Sequence, residues 1–237
     1  MAAAARSLSN RSQPFGSAML VLAFAFSGVG QGCSRTARSR QELIRSVLPC
    51  VVSLESSRPG FKGKGVGAGF IVKGGELVTA AHLVASTDTV TVRFASGATA
   101  QARVADRFPQ VDTAVLSLPE SARAGCGGLT FQREVAVGND VIVVGSPAGL
   151  AHSVSAGIVS AKERSVAECP EMAELGLAAD ARLIQTDAAI SSGTSGGPLL
   201  NAQGEVLGMV IASVPNAQRI GLAVTASTLA AATHLNF

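Results

Sequence analysis

The sequence predicts an all-β fold of two small antiparallel six-stranded barrels, with a short helix at the C-terminal end. Glycine is abundant, with 26 residues among 237, and tryptophan and tyrosine are absent. Valine and isoleucine recur in short runs, which favours many short strands over long helices. About a dozen runs alternate with turn residues, a spacing typical of barrels. The hydrophobic fraction of 47% is enough for one sizeable core or two smaller ones that share an interface.

Residues 1–40 are predicted to be a leader and linker outside the folded domain. A basic segment precedes an apolar run from Ala18 to Phe26, and small residues follow before Cys33. This order is typical of a secretory signal peptide, and the run is shorter than the roughly 20 residues that span a bilayer. The leader therefore predicts export to a periplasm or cell envelope, or secretion. An arginine-rich organelle transit peptide is the weaker alternative.

Gly30-Gln31-Gly32-Cys33 resembles a bacterial lipobox in part, because the cysteine follows small residues. It lacks the usual leucine three residues before the cysteine. Two alternatives stay open, a membrane anchor through a lipid on Cys33 and a mature chain without lipid.

Charge and metal-ligating residues exclude two classes of function. The five arginines of residues 1–40 account for the formal net charge of +3, since residues 41–237 hold 14 basic and 16 acidic side chains. A nucleic-acid partner is therefore not expected. His82, His152 and His234 lie far apart and no two cysteines are closer than 17 residues, so we expect neither a metal nor another cofactor.

The first barrel is predicted over about residues 47–122, after a short amphipathic helix at Gln41–Leu48. His82 ends one of its strands and Asp112 stands at the mouth of another. The runs that predict its strands are Cys50–Leu54, Gly67–Val72, Leu77–His82, Thr89–Phe94, Thr99–Ala105 and Val111–Leu118.

The second barrel is predicted over about residues 130–237, after a connection rich in small residues at 119–130. An acidic surface loop or short helix occupies 162–182, and an alanine-rich helix from Ala226 to about Leu235 closes the chain. The runs that predict its strands are Val135–Val137, Val141–Leu150, Ser153–Ala161, Leu183–Thr186, Val206–Ser213 and Ile220–Val224. The body cysteines Cys50, Cys126 and Cys169 allow at most one internal disulfide, whose pairing stays open.

Ser195 is the candidate nucleophile, because glycines surround it between two apolar runs. A hydroxyl that attacks a carbonyl needs backbone N–H groups directed at the oxyanion, and glycine permits the dihedrals of such a cradle. We expect Gly193, Thr194 and Ser195 to form this oxyanion hole, with the N–H donors on Gly193 and Ser195.

A serine nucleophile needs a base, and the base needs a carboxylate that orients it. His82 and Asp112 supply these groups at strand ends of the first barrel, so a cleft between the barrels could bring all three residues together. The order His, Asp, Ser argues against the G-x-S-x-G elbow of α/β-hydrolases, in which the acid and the histidine follow the serine. We therefore predict a catalytic triad of His82, Asp112 and Ser195.

Three segments resemble the catalytic motifs of trypsin-like serine proteases, and the HtrA/Deg branch most closely. They are Thr79-Ala80-Ala81-His82, Asp112-Thr113-Ala114-Val115-Leu116 and Gly193-Thr194-Ser195-Gly196-Gly197-Pro198. The resemblance covers about residues 46–225 and extends to Gly145–Leu150, Ser155–Ala161, Gln185–Ile190 and Gly204–Gly208. It implies a chymotrypsin-like fold and a serine protease domain at 41–237.

The sequence departs from the family at informative positions. Thr194 stands where the HtrA branch usually has asparagine and digestive trypsins have an aspartate that pairs with a newly cut N-terminus. Activation by N-terminal cleavage is therefore not expected. Only 42 residues follow Ser195 and the second barrel uses most of them, so we expect no PDZ domain in this chain.

The substrate pocket is predicted from positions that match the family. Ala189 lies six residues before the serine, where trypsins carry an aspartate that binds Lys or Arg. The predicted lining is Ala189, Ile190, Val210, Ile211, Ala212 and Leu222. A small apolar pocket of this kind favours cleavage after small aliphatic residues.

The leading hypothesis is an exported serine endopeptidase that acts on unfolded or flexible proteins and peptides. The alternative from another class is a chaperone-like binding protein for quality control, with weak or regulated proteolysis. An esterase that uses the same triad is a third hypothesis. The branch often forms homotrimers through N-terminal segments, which correspond here to Gln41–Leu54.

Overall fold

The computed structural model describes residues 38–57, 64–123, 125–169, 172, 175–214 and 217–235. The helices in these ranges are α1 (Arg40–Val47) and α2 (Ala226–Thr233). The strands are β1 (Val51–Ser57), β2 (Lys64–Ile71), β3 (Leu77–Ala80), β4 (Thr89–Phe94), β5 (Thr99–Phe108), β6 (Thr113–Ser117), β7 (Asp140–Gly145), β8 (Ser153–Ser165), β9 (Arg182–Thr186), β10 (Pro198–Leu200), β11 (Val206–Ser213) and β12 (Gly221–Thr225). None of the helices in the described ranges is long and apolar enough to cross a membrane.

The strands close into two six-stranded barrels. The first has the order β1-β2-β3-β6-β5-β4 and the second has the order β10-β11-β12-β9-β8-β7. All strand pairs within them are antiparallel. The predicted all-β class, the two six-stranded barrels and the short C-terminal helix are confirmed.

Side-chain alternation explains how the strands close around their cores. In β4 the residues alternate between exposed and buried, so that Val90 and Val92 face inward. The second barrel encloses a separate apolar cluster that includes Val143, Ile184 and Leu199. A larger cluster extends from the first barrel to the outer face of the second. The two barrels therefore share one continuous apolar interface.

Helix α1 attaches the N-terminal side of the domain to the second barrel. Ser39 caps the helix in a capping box, since its Oγ accepts the Glu42 N–H and the Glu42 carboxylate accepts the Ser39 N–H. Leu43 and Val47 are buried. A Cβ on Gly204 would lie 2.8 Å from Leu43 Cδ1, so glycine there permits the close contact of helix and turn.

Three local predictions were wrong. Val135–Val137 has no strand pairing, and Pro198–Leu200 forms the unpredicted strand β10 directly after the glycine-rich segment. A three-residue strand carries too little periodicity to stand out beside glycines. His82 lies in a 3₁₀ turn, Ala81–Leu83, rather than on the strand that precedes it.

A disulfide joins Cys50 to Cys126 and so links the start of β1 to the connection between the barrels. The bridged residues are 76 positions apart, and the loop that they close includes both His82 and Asp112. Cys169 lies outside this disulfide and is buried. The bridge therefore constrains the part of the chain that carries the candidate base and its carboxylate.

We predict that replacing both Cys50 and Cys126 with alanine lowers the free energy of unfolding by up to about 4.5 kcal/mol, the loop-entropy value for a closed loop of this length. Urea unfolding of the oxidised proteins measures the difference. The wild type in reductant should approach the double variant, and a Cys169→Ser control should keep the reductant effect. Equal unfolding free energies of the oxidised wild type and the double variant would contradict the prediction.

Candidate active site

Asp112 and the turn that carries His82 are joined by three hydrogen bonds. The Asp112 carbonyl accepts the Ala81 N–H at 2.9 Å, and Asp112 Oδ1 accepts the His82 N–H at 2.9 Å. His82 Nδ1 lies 2.8 Å from Asp112 Oδ2. The pairing of Ala80 with Thr113 brings the end of β3 beside the start of β6 and creates this contact.

This contact determines the chemistry of the imidazole. A carboxylate can only accept, so Nδ1 of His82 carries the hydrogen and Nε2 remains the basic nitrogen. Asp112 is 2% exposed, which shields its charge from water, while the His82 side chain is 26% exposed. The backbone of Asp112 is left-handed, with φ 46°, a conformation that aspartate tolerates better than most residues. His82 therefore has the geometry of an oriented general base.

The segment with Ser195 lies between β9 and β10 and contacts the first barrel. The Ser195 carbonyl accepts the Ala68 N–H of β2 at 2.9 Å. The Ala68 carbonyl in turn accepts Thr79 Oγ1–H at 2.6 Å, three residues before His82. A Cβ on Gly196 would lie 2.2 Å from the Ala68 oxygen, so only glycine permits this approach. These contacts hold the serine segment at the interface of the barrels.

The Ser195 hydroxyl is oriented toward Ile211 in this structure. Its Oγ–H donates to the Ile211 carbonyl oxygen at 3.0 Å. A hydroxyl has one hydrogen, so this bond is made in place of one to His82. The structure thus pairs His82 with Asp112 and brings Ser195 to the interface without joining its hydroxyl to the base.

A hydrogen bond to the Ser192 carbonyl fixes the orientation of the peptide group between Ser192 and Gly193. The Ser192 carbonyl accepts the Ala148 N–H at 3.0 Å. A trans peptide is planar with opposed C=O and N–H, so the Gly193 N–H points to the other side. Within the described part of the chain, neither the Gly193 N–H nor the Ser195 N–H donates a hydrogen bond. These two N–H groups are the expected donors of an oxyanion hole.

Residues 145–149 brace the serine segment, a role that the sequence did not reveal. The Ser146 N–H donates to the Gly193 carbonyl at 3.0 Å, and Ser146 is 1% exposed. Gly193 has φ 99°, and a Cβ on it would lie 2.1 Å from the Ser146 oxygen. The resemblance to the protease family includes Gly145–Leu150. The contact of this segment with Gly193 depends on the fold and cannot be predicted from the sequence.

The prediction that Thr194 belongs to the oxyanion hole was wrong. Its N–H donates to the Ser191 carbonyl at 3.0 Å and is not available to a substrate. Its buried side chain accepts the Ser191 N–H at 2.8 Å and donates to the Ser191 carbonyl. Thr194 therefore stabilises the turn that presents Gly193 and Ser195.

The predicted pocket lining also needs correction. Val210, Ile211 and Leu222 are at most 1% exposed and pack in the apolar cores. Their side chains cannot form an accessible wall, although the Ile211 carbonyl faces Ser195. Ala189 is exposed, and Ile190 and Ala212 are partly exposed. The part of the predicted lining that a substrate can reach is therefore Ala189, Ile190 and Ala212.

His152, three residues after the segment 145–149, forms a hydrogen bond to the first barrel. Its Nε2 lies 3.2 Å from the Val51 carbonyl, to which it donates. Burial lowers the pKa of His152, and the hydrogen bond to Val51 opposes part of that change. The folded protein therefore favours the neutral imidazole.

Comparison with known proteins agrees with this geometry. A family model described as a trypsin-like peptidase domain matches residues 67–209. The chain is 37% identical over 168 residues to the putative serine protease HhoB of Synechocystis sp., an alignment that covers 70% of this chain and 38% of HhoB. It is 39% identical over 145 residues to a probable periplasmic serine endoprotease, DegP-like, of Pseudomonas fulva, covering 61% of this chain and 28% of that protein.

Solved structures show the same architecture. The HtrA-type protease AlgW with a tripeptide superposes with a TM-score of 0.69 at 27% identity, covering 83% of this chain and 64% of AlgW. The active form of the Rv3671c protease from M. tuberculosis superposes with a TM-score of 0.70 at 27% identity, covering 81% of this chain and 82% of that one. The alignments with HhoB and with the DegP-like protease show that this chain spans well under half the length of either protein.

We predict that the free energy of unfolding falls as the pH drops below about 6.5, the ordinary pKa of histidine. The folded pKa of His152 is lower than the unfolded one, so the unfolded chain binds the proton first and acid favours unfolding. Urea unfolding at about pH 7.5 and pH 5 measures the loss. The backbone of His152 is left-handed, with φ 60°. His152→Asn, which cannot titrate and tolerates this conformation, should show a smaller loss. The same loss in both proteins would contradict the prediction.

Proposed function

Because the chain belongs to the trypsin-like peptidase family, we propose that it is a serine endopeptidase that cleaves unfolded or flexible proteins. One observation carries the proposal above all. The Asp112–His82 pair belongs to the first barrel, and the Ser195 segment contacts that barrel at Ala68; in that segment the Gly193 and Ser195 N–H groups donate to no group of the described residues. A base, a nucleophile and an oxyanion hole are the components that acyl transfer requires.

The proposed reaction begins when the Ser195 hydroxyl turns from Ile211 toward His82. Nε2 of His82 removes the proton as Oγ attacks the scissile carbonyl carbon, and Asp112 stabilises the imidazolium. The N–H groups of Gly193 and Ser195 bind the oxyanion of the tetrahedral intermediate. His82 then protonates the leaving amine, and the peptide bond breaks to leave an acyl-enzyme. Water, deprotonated by His82, releases the acid and restores Ser195.

The backbone arrangement supports activity without cleavage of an N-terminus. Thr194 bonds to Ser191 within its own turn, so no charged N-terminus is needed to pair with it. The Ser192 carbonyl is already held by Ala148. The oxyanion hole is therefore formed before a substrate binds.

The accessible pocket residues support cleavage after small aliphatic residues. Ala189, Ile190 and Ala212 present neither a charge nor a side-chain hydrogen-bonding group. Ile190 also fills the space beside Gly221, since a Cβ there would lie 2.2 Å from Ile190 Cδ1. A pocket of this kind would favour Val, Ala or Leu and exclude Lys and Arg.

The disulfide supports the proposed location outside the cytosol. Bridges such as Cys50–Cys126 form and persist in oxidising compartments. One relative is named as a probable periplasmic protease, while the 37% identical HTRA2 of Bos taurus is named as mitochondrial. We propose export to the periplasm or cell envelope. A lipid on Cys33 and the leader lie outside the described residues, and a homotrimer through Gln41–Leu54 stays a proposal.

A second candidate function is a binding protein for unfolded chains with weak or regulated proteolysis. The orientation of the Ser195 hydroxyl favours it, because a serine bonded to Ile211 is not activated by His82 at rest. Such a protein would capture segments more often than it cuts them.

We predict that Ser195→Ala abolishes casein cleavage, lowering kcat by at least about four orders of magnitude, because the nucleophile is lost. Gel assays and mass spectrometry of the products measure rate and cleavage sites, which should follow Val, Ala or Leu. A fluorophosphonate probe should label the wild type and a Ser227→Ala control on α2, but not Ser195→Ala.

Three outcomes separate the hypotheses. Undiminished casein cleavage by Ser195→Ala would contradict the endopeptidase mechanism. Labelling without protein cleavage would support the binding protein. Turnover of small esters without peptide cleavage would support an esterase.

We also predict that Gly193→Ala lowers kcat by about 10²- to 10³-fold, the typical effect of losing one oxyanion donor. The added Cβ would lie 2.1 Å from the Ser146 oxygen, so the Ser192–Gly193 peptide must move. Gly97→Ala is a matched control, because Gly97 has φ 86° and a Cβ on it would meet no atom within 4 Å. A similar loss of kcat in both variants would show that backbone strain, and not the oxyanion hole, causes the effect.

A further inference from the structure

The two strands that flank the accessible pocket separate just beyond their last pair. The ladder between β9 and β12 ends at the pair of Thr186 and Gly221. From that pair, one chain continues as residues 187–190, which carry Ala189 and Ile190. The other chain enters β12 through residues 217–220. Residues 187–190 and 217–220 are therefore not paired with each other through their backbones. They lie beside the proposed substrate pocket.

An ion pair joins the two segments at this point. Arg219 Nη2 donates to Asp187 Oδ2 at 2.8 Å, and Asp187 Oδ1 accepts the Ile158 N–H of β8 at 2.7 Å. The Ile158 N–H and then the Arg219 guanidinium lower the pKa of Asp187, so this carboxylate is ionised at neutral pH. Asp187 therefore connects β8 on one side to the approach to β12 on the other.

The Asp187 side of this contact is already anchored to β8. Ser155 Oγ–H donates to the Ala189 carbonyl at 2.8 Å, and the Thr186 hydroxyl donates to the Ile158 carbonyl at 2.8 Å. A Cβ on Gly157 would lie 2.3 Å from Asp187 Oδ1, so glycine permits the close approach. Residues 186–189 are therefore a fixed wall.

The Arg219 side is attached more weakly. Within the part of the chain that the structure describes, residues 217–220 make two backbone hydrogen bonds, both to Val214, which lies in the same loop. The Val214 N–H donates to the Ile220 carbonyl at 3.0 Å, and the Ala217 N–H donates to the Val214 carbonyl at 3.3 Å. The side chain of Arg219 is 70% exposed, and its backbone is left-handed with φ 59°, a conformation that arginine rarely adopts. Among the described residues of 214–220, Arg219 is the one whose side chain forms a hydrogen bond to another segment, namely to Asp187. The Arg219 side chain thus links this loop to residue 187 of the facing segment.

We propose that Arg219 is a positioning residue for the substrate pocket, because its ion pair with Asp187 holds residues 217–220 against the fixed wall at 186–189. This role rests on the proposed endopeptidase function. Arg219 acts through Asp187, and among the described residues it forms no hydrogen bond or ion pair with His82, Asp112 or Gly193. Loss of the pair should weaken substrate binding and leave the chemical step intact.

The expected effect is modest, since an exposed ion pair contributes little in water. Arg219→Ala should raise KM about three- to fivefold for a peptide with Val before the cut, while kcat changes less than about twofold. Asp187→Asn should act alike, because the amide oxygen still accepts the Ile158 N–H but the charge is gone. The double variant should be no worse than either single variant. Arg219→Lys should restore most of the binding.

Two measurements test the proposal on the full chain. Michaelis kinetics on the peptide give KM and kcat for each variant. Hydrogen exchange measures the Val214 amide and the peptides that cover 217–222, which should exchange faster in Arg219→Ala and Asp187→Asn. Arg93→Ala is the matched control, because it breaks an exposed pair with Glu55, 3.6 Å apart on the first barrel. It should match the wild type in both measurements.

The outcomes keep this proposal distinct from the proposed function. A wild-type KM and wild-type exchange in Arg219→Ala would overturn the role of Arg219, as would additive effects in the double variant. If the wild type cleaves no peptide and its serine takes no fluorophosphonate, the endopeptidase function fails. In that case hydrogen exchange alone tests whether Arg219 holds residues 217–220 in place. Faster hydrogen exchange in Arg219→Ala supports this role, and unchanged hydrogen exchange overturns it.

Discussion

The hydrogen bond from the Ala68 N–H to the Ser195 carbonyl is the contact on which the rest of the site depends. It joins the serine segment of the second barrel to β2 of the first at 2.9 Å. The Ala68 carbonyl also binds Thr79 on the strand that leads to His82. One residue of the first barrel therefore links the segment of Ser195, the proposed nucleophile, to the strand that leads to His82, the proposed base. Neither barrel alone holds a complete site, because the pair of His82 and Asp112 belongs to the first.

Backbone hydrogen bonds hold the serine segment in place, whereas the Ser195 side chain can rotate. The backbone of the serine segment is held by carbonyls and amides of Ala148, Ser146 and Val210, the last of which accepts the Gly196 N–H at 2.7 Å. These bonds hold the backbone around the Gly193 and Ser195 N–H groups, the proposed oxyanion donors, in the arrangement that electrostatic preorganisation requires. The Ser195 side chain has only a rotatable hydroxyl. In the proposed mechanism the backbone around the oxyanion donors is therefore part of the fold, and the Ser195 hydroxyl is the group that must reorient.

The sequence predicted what depends on residue type and periodicity. Runs of valine and isoleucine predicted the barrels, and the His, Asp and Ser motifs predicted which side chains approach the interface. It could not predict contacts that depend on carbonyl direction, such as those of Ser146 and Ala148 with the serine segment. The same limit explains the errors at Thr194 and Ile211. Thr194 lies in the serine motif and Ile211 was assigned to the pocket from its position, yet the Thr194 N–H is used within its turn and the Ile211 side chain is in the core.

Ile211 shows why the resting orientation of Ser195 is compatible with catalysis. Its side chain anchors β11 in the core, so its carbonyl stays beside the serine at 3.0 Å. A hydrogen bond between two neutral groups contributes only about 1 kcal/mol net, and rotation about one side-chain bond moves the hydroxyl between staggered positions. In the proposed reaction, the loss of the hydrogen bond to the Ile211 carbonyl therefore costs little free energy. Since the N–H groups of Gly193 and Ser195, the proposed donors of the oxyanion hole, donate to no other group in the described part of the chain, the proposed mechanism needs a change only at the Ser195 side chain.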